Sequence, residues 1–393
     1  MKHRQRPAIL VLVALASIVL AYGCVRHRPC QACGLTANML YRPFAVEGTD
    51  TLGSLIVEVF RTRRRPLNAL LLSGGGANGA WSAGILNAWT ESRQRPEFDI
   101  VTGISTGSLI STFAYIGSEK DEVLKTAYTS VTNDDIFRDR VILTAVLFHD
   151  ALKTTEPLAS LLEKYLSNDV IDKVGDIYRT RKCLLLVGTV DFDTSKFHIW
   201  NMGELAGSND PKRYEMYRRI VLAATAIPVV FTPVVIDNAL HVDGGVREQV
   251  FGALFAAAAE AAYKTFVQSL PPAELSTRAA ATKPIAYLIV NGQLTVPRKC
   301  VKRSFPRMVL RALDVMLAEG MVGNLYKSQA MMPEWTFLFS RIPDNYVLGS
   351  GSEEFDQGKM KRLYTAGYEW GRTRPWETKV PVPDVSPLPC VND

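Results

Sequence analysis

Residues 69–80 read ALLLSGGGANGA, and residues 98–107 read FDIVTGISTG. Each stretch is a short apolar strand that runs into a loop containing glycines, and a segment of helical character follows each loop. Short apolar runs continue to alternate with helical stretches from residue 66 to about residue 341. This alternation predicts an α/β domain with a mainly parallel central sheet.

The first loop contains three consecutive glycines, Gly74, Gly75 and Gly76. Glycine frees the backbone to expose N–H groups, and beside a helix N-terminus these groups form a site for a negatively charged oxygen. That oxygen could belong to a pyrophosphate, because Gly74, Gly76 and Gly79 satisfy the G-x-G-x-x-G pattern. A dinucleotide site also needs an acidic residue at the end of the next strand, whereas the available Asp99 begins its strand. A transient oxyanion is therefore favoured.

The second loop is a G-x-S-x-G motif formed by Gly103, Ser105 and Gly107. On a turn from strand to helix, this motif is typical of a nucleophile elbow, in which the glycines leave room for a strained serine. The motif alone is a moderate signal, and the glycine loop before it makes the signal strong. The sequence therefore indicates that Ser105 is a nucleophile, which needs a base to activate it.

Two candidate bases follow Ser105 in the chain. A triad of Ser105, Asp191 and His241 is allowed by residue order. The stronger candidate is Asp243, because Asp243-Gly244-Gly245 ends an apolar segment in a glycine turn, where a carboxylate can reach a serine directly. Taken alone, a D-G-G sequence is better interpreted as a plain turn. To act as a base near neutral pH, Asp243 needs its pKa raised by burial.

Taken in order, these motifs resemble the patatin-like phospholipase family. The matching pieces are the glycine loop, the elbow, an A-x-x-A-x-P-x-x-F segment and the D-G-G turn, at residues 74–79, 103–107, 223–231 and 243–245. The resemblance covers about residues 66–250 and extends loosely to residue 341, and the pieces are specific as a set. The chain departs from the family at Asn78, where members often carry Arg or Lys, and this weakens any assumption about a phosphate contact there.

The resemblance implies a three-layer α/β/α patatin-like fold that carries a Ser–Asp dyad. Ser105 would be the nucleophile and Asp243 its base, and backbone N–H groups of Gly74, Gly75 and Gly76 would form the oxyanion hole. The implied activity is a serine acyl hydrolase that cleaves phospholipids or lysophospholipids through an acyl-enzyme, without a cofactor or a metal. The alternatives are an acyltransferase with the same dyad and a non-catalytic lipoprotein of the same fold.

Residues 1–23 have the features of a bacterial signal peptide. A basic start precedes an uncharged run of fifteen mostly apolar residues from Ala8 to Tyr22, which is shorter than a typical membrane span. Residues 20–24, LAYGC, resemble a lipobox, in which Cys24 would be lipidated and would anchor the chain. Because Val25 is not the aspartate that retains lipoproteins at the inner membrane, the outer membrane of a Gram-negative bacterium is expected. Ordinary secretion and an inner-membrane signal anchor are the alternatives.

The chain has 393 residues, of which 47% are hydrophobic and 21% charged, with a net charge of +6. This composition excludes a disordered or polytopic membrane protein, and the charge excess does not indicate a nucleic-acid partner. We expect a tether and N-terminal extension at residues 24–65, a catalytic domain at residues 66–345 and a polar, Pro-rich tail without a core at residues 346–393. Cys30 and Cys33 favour a disulfide or passive thiols over a zinc site. The sequence indicates no oligomeric state.

Other segments allow two interpretations each. The four arginines of residues 61–65 are either a solvated face or a contact for anionic lipid head groups. Residues 141–166 have apolar positions at helical spacing, and they either pack against the core or form a wall for an acyl chain. Asp191 and Asp193 are interpreted as a turn rather than as a calcium site.

Overall fold

The computed structural model describes residues 44–46, 48–139, 151–295, 301, 303–349, 351–373 and 376–381. The expected signal peptide, the lipidation site Cys24 and the Cys30–Cys33 pair lie outside these residues. Within them, none of the helices combines the length and the apolar character needed to cross a membrane.

Two sheets organise the described residues. Their strands are β1 (Ala45–Val46), β2 (Asn68–Leu72), β3 (Ile100–Gly103), β4 (Arg138–Asp139), β5 (Ala151–Thr154), β6 (Leu184–Asp191), β7 (Lys196–Asn201), β8 (Val229–Phe231), β9 (Val234–Ile236), β10 (Ala239–Asp243), β11 (Ile285–Val290) and β12 (Thr336–Arg341). β4, β5 and β8 form a small sheet. The central sheet has the order β1-β7-β6-β3-β2-β11-β12, with β10 joined to β6 and β9 joined to β10.

Five neighbouring strands of the central sheet, β6, β3, β2, β11 and β12, are parallel. β7, β1 and β10 run antiparallel to the strands beside them. The prediction of a mainly parallel sheet is therefore confirmed. Because β2 and β3 are neighbours, with Leu72 opposite Gly103, both motif loops leave the same carboxyl edge of the sheet.

Helices cover both faces of the central sheet. The described residues form α1 (Gly48–Thr62), α2 (Gly79–Glu91), α3 (Thr106–Ile116), α4 (Asp121–Thr129), α5 (Asn133–Ile136), α6 (Glu156–Tyr165), α7 (Asn168–Arg181), α8 (Met202–Gly207), α9 (Arg213–Ala224), α10 (Ala253–Gln268), α11 (Pro272–Ala281), α12 (Phe305–Met331) and α13 (Gln357–Thr373). Single turns of 3₁₀ helix lie at Gly76–Asn78, Ser118–Lys120 and Gly244–Val246.

The side chains of the parallel strands alternate between two hydrophobic cores. On β2, Leu70 and Leu72 belong to the first core, whereas Ala69 and Leu71 belong to the second. Helices α2, α3, α7 and α9 cover the first core, and α1 and α10 cover the second. Strands buried on both faces read as continuous apolar runs, which is why ALLL is recognisable in the sequence. The fold is the predicted three-layer α/β/α arrangement.

The described part of residues 24–65 differs from the expected tether and irregular extension. α1 buries Leu52, Ile56 and Phe60 completely. The ring of Phe60 stacks on that of Phe266 in α10, with the ring centroids 5.3 Å apart. The apolar residues of α1 recur every three to four positions, which places them on one face of the helix. α1 is therefore part of the second core.

The C-terminal segment also differs from the expected polar tail without a core. α13 buries Met360 and Leu363 and packs closely on α2. At this crossing, a Cβ added to Gly84 would lie 2.2 Å from the carbonyl oxygen of Tyr364 in α13. A Cβ added to Gly367 would lie 2.4 Å from the carbonyl oxygen of Trp81 in α2. Only one narrow face of α13 is apolar, so the average composition of the segment is polar although the helix is packed.

Two of the four arginines at residues 61–65 bind a buried carboxylate, whereas Arg61 and Arg64 are exposed. Arg63 Nε and Arg65 Nη1 lie 2.5 Å and 2.7 Å from the two carboxylate oxygens of Asp99. The N–H of Asn68 also donates to Asp99, which is fully buried. Asp99 precedes β3 at its amino end, opposite the motif loops, so it holds the fold and is not placed to bind a ribose.

Candidate active site

Ser105 lies at the turn from β3 into α3 in a strained backbone conformation. Its φ is 51° and its ψ is −128°, a combination that residues with side chains rarely adopt. A Cβ added to Gly103 would lie 2.3 Å from the carbonyl oxygen of Gly107, and one added to Gly107 would lie 2.6 Å from that of Leu72. The two glycines therefore permit the close turn, and the geometry is that of a nucleophile elbow.

Asp243 comes near Ser105 because β3 and β10 share one edge of β6. The first half of β6, from Leu184 to Val187, pairs with β3, and the second half pairs with β10, where Thr189 is opposite Asp243. β7 occupies the other edge of β6. The carboxyl ends of β3 and β10 therefore point toward each other, and the elbow lies beside the D-G-G turn.

Burial sets the pKa of Asp243. The residue is 2% exposed, and because burial disfavours the charged form, the pKa of the carboxyl rises to about 7. The Ser105 hydroxyl and the N–H of Gly245 favour the carboxylate and partly offset this rise. Gly245 donates to Oδ1 at 2.7 Å, whereas Oδ2 has no aligned donor among the described residues. Oδ2 is therefore available to the nearby hydroxyl of Ser105.

The glycine loop presents two N–H groups at the site. Gly75 and Gly76 have positive φ angles of 141° and 52°. A Cβ on Gly75 would lie 2.3 Å from the carbonyl oxygen of Asn291, and one on Gly76 would lie 2.2 Å from that of Ser352. Only glycine fits at both positions. Within the described part of the chain their N–H groups form no hydrogen bond, so both can donate to an oxyanion.

Gly74 differs from its expected role as a third oxyanion donor. Its N–H already donates to the carbonyl oxygen of Gln249 at 3.0 Å. A Cβ on Gly74 would lie 3.2 Å from the Cβ of Ser105. The absence of a side chain at Gly74 therefore lets the loop approach the nucleophile, and the donors are left to Gly75 and Gly76.

Two buried side chains that the sequence analysis missed hold these loops in place. Asn291, just after β11, donates from Nδ2 to the carbonyl of Ser73 at 3.0 Å and accepts the hydroxyl of Ser82 at 2.6 Å. Gln249, whose backbone oxygen holds the glycine loop, donates from Nε2 to the carbonyl of Gly245 at 2.7 Å. Neither residue belongs to a motif, and both lie far in sequence from the glycine loop, so only the fold reveals their contacts with it.

An apolar pocket opens beside Ser105. It lies between α3, α4, α6 and the segment around β8, and its wall includes Leu109, Ile136, Leu158, Leu162, Ile227 and Phe231. The cavity volume is about 60 Å³, which makes it a narrow slot. Of residues 141–166, residues 141–150 lie outside the described residues, residues 151–154 form β5, and Glu156–Tyr165 form α6. α6 both packs into the first core and walls the pocket, so the two interpretations of that segment are compatible.

The alternative triad is not assembled. The carboxylate of Asp191 accepts the N–H groups of Asp193 and Thr194 and the hydroxyl of Thr194, as a turn requires. Nδ1 of His241, the atom that the aspartate binds in a Ser-His-Asp triad, lies 3.0 Å from Oγ1 of Thr189. Within the described ranges, no group of His, Cys, Asp and Glu side chains could hold a metal ion.

Comparison with known proteins addresses the family. The family model described as "Patatin-like phospholipase" matches residues 70–253, which confirms the resemblance predicted from the motifs. No curated protein matches the chain at a significant level.

Two solved structures are similar to the chain at low sequence identity. VipD from Legionella pneumophila is 10% identical, with 79% of this chain and 66% of that chain covered and a TM-score of 0.36. The type III effector protein ExoU is 11% identical, with 79% of this chain and 54% of that chain covered and a TM-score of 0.33. This chain thus spans just under two thirds of VipD and about half of ExoU, and its function has to be argued from the site itself.

Proposed function

From the premise that residues 70–253 form a patatin-like phospholipase domain, we propose that this chain is a lipid acyl hydrolase in which Ser105 and Asp243 act as a catalytic dyad. One observation carries the proposal. A strained serine and a buried carboxyl with a pKa of about 7 meet where β3 and β10 end. The N–H groups of Gly75 and Gly76, which have no acceptor among the described residues, complete the set of groups that acyl transfer requires.

The first half-reaction transfers the acyl group to the enzyme. Oγ of Ser105 attacks the ester carbonyl carbon while Asp243 accepts the hydroxyl proton. The charge that develops on the carbonyl oxygen is stabilised by the N–H groups of Gly75 and Gly76, and removing one such donor typically costs about 3 kcal/mol. Asp243 then donates its proton to the departing alcohol or lysolipid, and the acyl group stays on Ser105.

The second half-reaction releases the fatty acid. The Asp243 carboxylate accepts a proton from water as the water attacks the acyl-enzyme carbonyl, and the same N–H groups bind the second oxyanion. The bond to Oγ of Ser105 then breaks, and Oγ regains a proton from Asp243. A pKa of about 7 suits both steps, because one carboxyl group must accept and donate a proton in each cycle.

We infer that the substrates are phospholipids or lysophospholipids. The apolar slot at Ser105 supports an acyl chain as the bound group, because it offers aliphatic and aromatic walls and few polar groups. The ester carbonyl would lie at Ser105 with the chain between α3 and α6. An alcohol in place of water in the second half-reaction would make the same acyl-enzyme a transferase, so product analysis belongs in the test.

Fatty-acid release from phosphatidylcholine and lysophosphatidylcholine by the purified full chain tests this function. Ser105→Ala should lower the rate on the order of 10³-fold or more, since the nucleophile is removed. Ser111→Ala, on the same helix and also buried, is the matched control and should keep activity. Wild-type release by Ser105→Ala would contradict the proposal, and acylated alcohol as the main product would favour the transferase.

We also propose that the chain is an exported lipoprotein, anchored through Cys24 in the outer membrane. The support is the sequence LAYGC after an apolar run. Cys24→Ser should move the protein from the membrane fraction to the soluble fraction of fractionated cells. Continued membrane attachment of that variant would point to an uncleaved signal anchor.

A further inference from the structure

The N-terminal half of α12 exposes apolar side chains where a surface helix normally exposes polar ones. Met308, Ala312, Val315 and Met316, here called the apolar stripe, follow the i, i+4, i+7, i+8 spacing that places residues on one helix face. All four are exposed, with Met308 at 57% and Met316 at 69% of full exposure. The stripe is therefore an apolar surface that the rest of the described chain leaves uncovered.

Other side chains of α12 show where the stripe lies. Met321 and Leu325 are buried in the second core, whereas Leu310 packs against the first. α12 therefore crosses from one layer to the other over an edge of the sheet. This edge carries the candidate active site, because Oδ1 of Asn324 accepts the N–H of Gln249 at 2.8 Å, and Gln249 holds both catalytic loops.

Positive charge accompanies the stripe. In the sequence, residues 298–311 contain six Lys or Arg residues and no Asp or Glu. Of these, Arg303 and Arg307 are exposed in the described structure. An apolar helix face beside basic residues is the combination by which interfacial helices bind anionic lipid surfaces.

The same charge argues against a second copy of this chain as the occupant. Two copies that paired in parallel through the stripe would bring their basic segments together, and like charges repel across an interface. An anionic bilayer instead offers opposite charge at its surface and an apolar interior beneath it. The flexible, polarisable side chains of Met308 and Met316 can adapt to such an irregular apolar phase.

We propose that residues 305–319 form an interfacial helix that docks the enzyme on an anionic lipid bilayer. The apolar stripe inserts among the acyl chains, and Arg303 and Arg307 lie at the head groups. Docking in this way brings the sheet edge that carries Ser105 to the membrane that holds its substrate. The contact is separate from the N-terminal lipid anchor. Its purpose, access to a lipid substrate, rests on the proposed function, whereas the exposure of the stripe does not.

Hydrogen–deuterium exchange of the purified full chain tests the docking directly. With vesicles of phosphatidylglycerol and phosphatidylcholine, peptides that cover residues 305–319 should exchange about tenfold or more slowly than without vesicles. Vesicles of phosphatidylcholine alone, or high salt, should weaken this protection. Any contribution of the N-terminus to attachment is common to both vesicles, so the readout is local to the helix.

Two results of the exchange experiment would overturn the proposal. Exchange of residues 305–319 that is unchanged by anionic vesicles would show that the stripe does not enter the bilayer. Protection that appears without vesicles as the protein concentration rises would assign the stripe to a second copy of the chain.

A matched pair of variants separates docking from catalysis. The double variant Met308→Asp, Met316→Asp charges the stripe, whereas Leu275→Asp charges an exposed apolar position on α11. The double variant should lose the protection and hydrolyse vesicle phospholipid about tenfold more slowly, with turnover of a soluble short-chain ester unchanged. Leu275→Asp should match the wild type in all three measurements.

The two proposals fail in different ways. Vesicle hydrolysis by the double variant at the wild-type rate would overturn the docking proposal. A wild-type chain that hydrolyses neither ester would overturn the proposed function, while the exchange measurement would still decide whether residues 305–319 dock.

Discussion

Asp243 accepts a hydrogen bond from Gly245 and is otherwise enclosed by protein that raises its pKa to about 7. Enclosure has two effects on this residue. It keeps the carboxyl group basic enough to accept the proton of Ser105 near neutral pH. It also makes the ionised form costly to the fold, because a buried charge without a cation partner loses its hydration. Both effects can be measured separately.

The activity should depend on pH through the ionisation of Asp243. Only the ionised form of Asp243 can accept the Ser105 proton, so kcat/KM for a soluble short-chain ester should rise with pH and level off above an apparent pKa of about 7. Initial rates across the range from about pH 5 to about pH 9 provide the measurement. A midpoint near the ordinary pKa of an aspartate would show that burial does not tune this base.

The stability of the fold should also depend on pH through the ionisation of Asp243. The folded-state pKa of about 7 exceeds the usual 3.8, so the wild type is most stable when Asp243 is protonated and loses stability as pH rises through 7. Asp243→Asn removes this loss, so above pH 7 the variant should unfold at a higher denaturant concentration than the wild type. At about 1.4 kcal/mol per pKa unit, its free energy of unfolding should exceed that of the wild type by a few kcal/mol at most. The difference should shrink toward pH 4. A variant less stable than the wild type at pH 8 would contradict this prediction.

At the scale of elements, the packing of α2 on α13 depends on glycines that bring two backbones together. A Cβ at Gly367 would lie 2.4 Å from the carbonyl oxygen of Trp81. Gly367→Ala should therefore lower the free energy of unfolding by about 1–3 kcal/mol, the usual cost of overpacking. Urea unfolding monitored by circular dichroism gives the measurement.

Gly323 on α12 is the matched control for that prediction. Among the described residues, no atom outside the helix's own backbone lies within 4 Å of a Cβ added there, so Gly323→Ala gains helix propensity without a clash. The substitution should raise stability by up to about 1 kcal/mol. Equal effects of the two substitutions would show that the α2–α13 crossing is looser than described.

The elements also show which parts of the fold the sequence could predict. β2 and β3 were recognisable because strands buried on both faces are continuously apolar, and the loops after them carry glycines that the turns require. α1 and α13 were missed as packed elements. Each presents one narrow apolar face in a segment whose average composition is polar or mixed, and helical spacing, not composition, was the available signal.

At the scale of the whole molecule, the candidate site joins segments that are far apart in the chain. Ser105 and Asp243 could be predicted because each lies in a short motif. Gln249 and Asn291 could not, because their contacts with Ser73 and Gly74 at the glycine loop arise only when β2, β10 and β11 are assembled. The hydrogen bond from the N–H of Gly74 could not be predicted for the same reason, since its acceptor is the backbone oxygen of Gln249.

Reaction of the purified full chain with a fluorophosphonate decides whether Asp243 activates Ser105. The reagent modifies serine hydroxyls that a base activates, and mass spectrometry identifies the modified residue. We predict rapid modification of Ser105 in the wild type and in Ser111→Ala, and none in Asp243→Asn. Modification of a different serine, or of Ser105 at the wild-type rate in Asp243→Asn, would contradict this prediction.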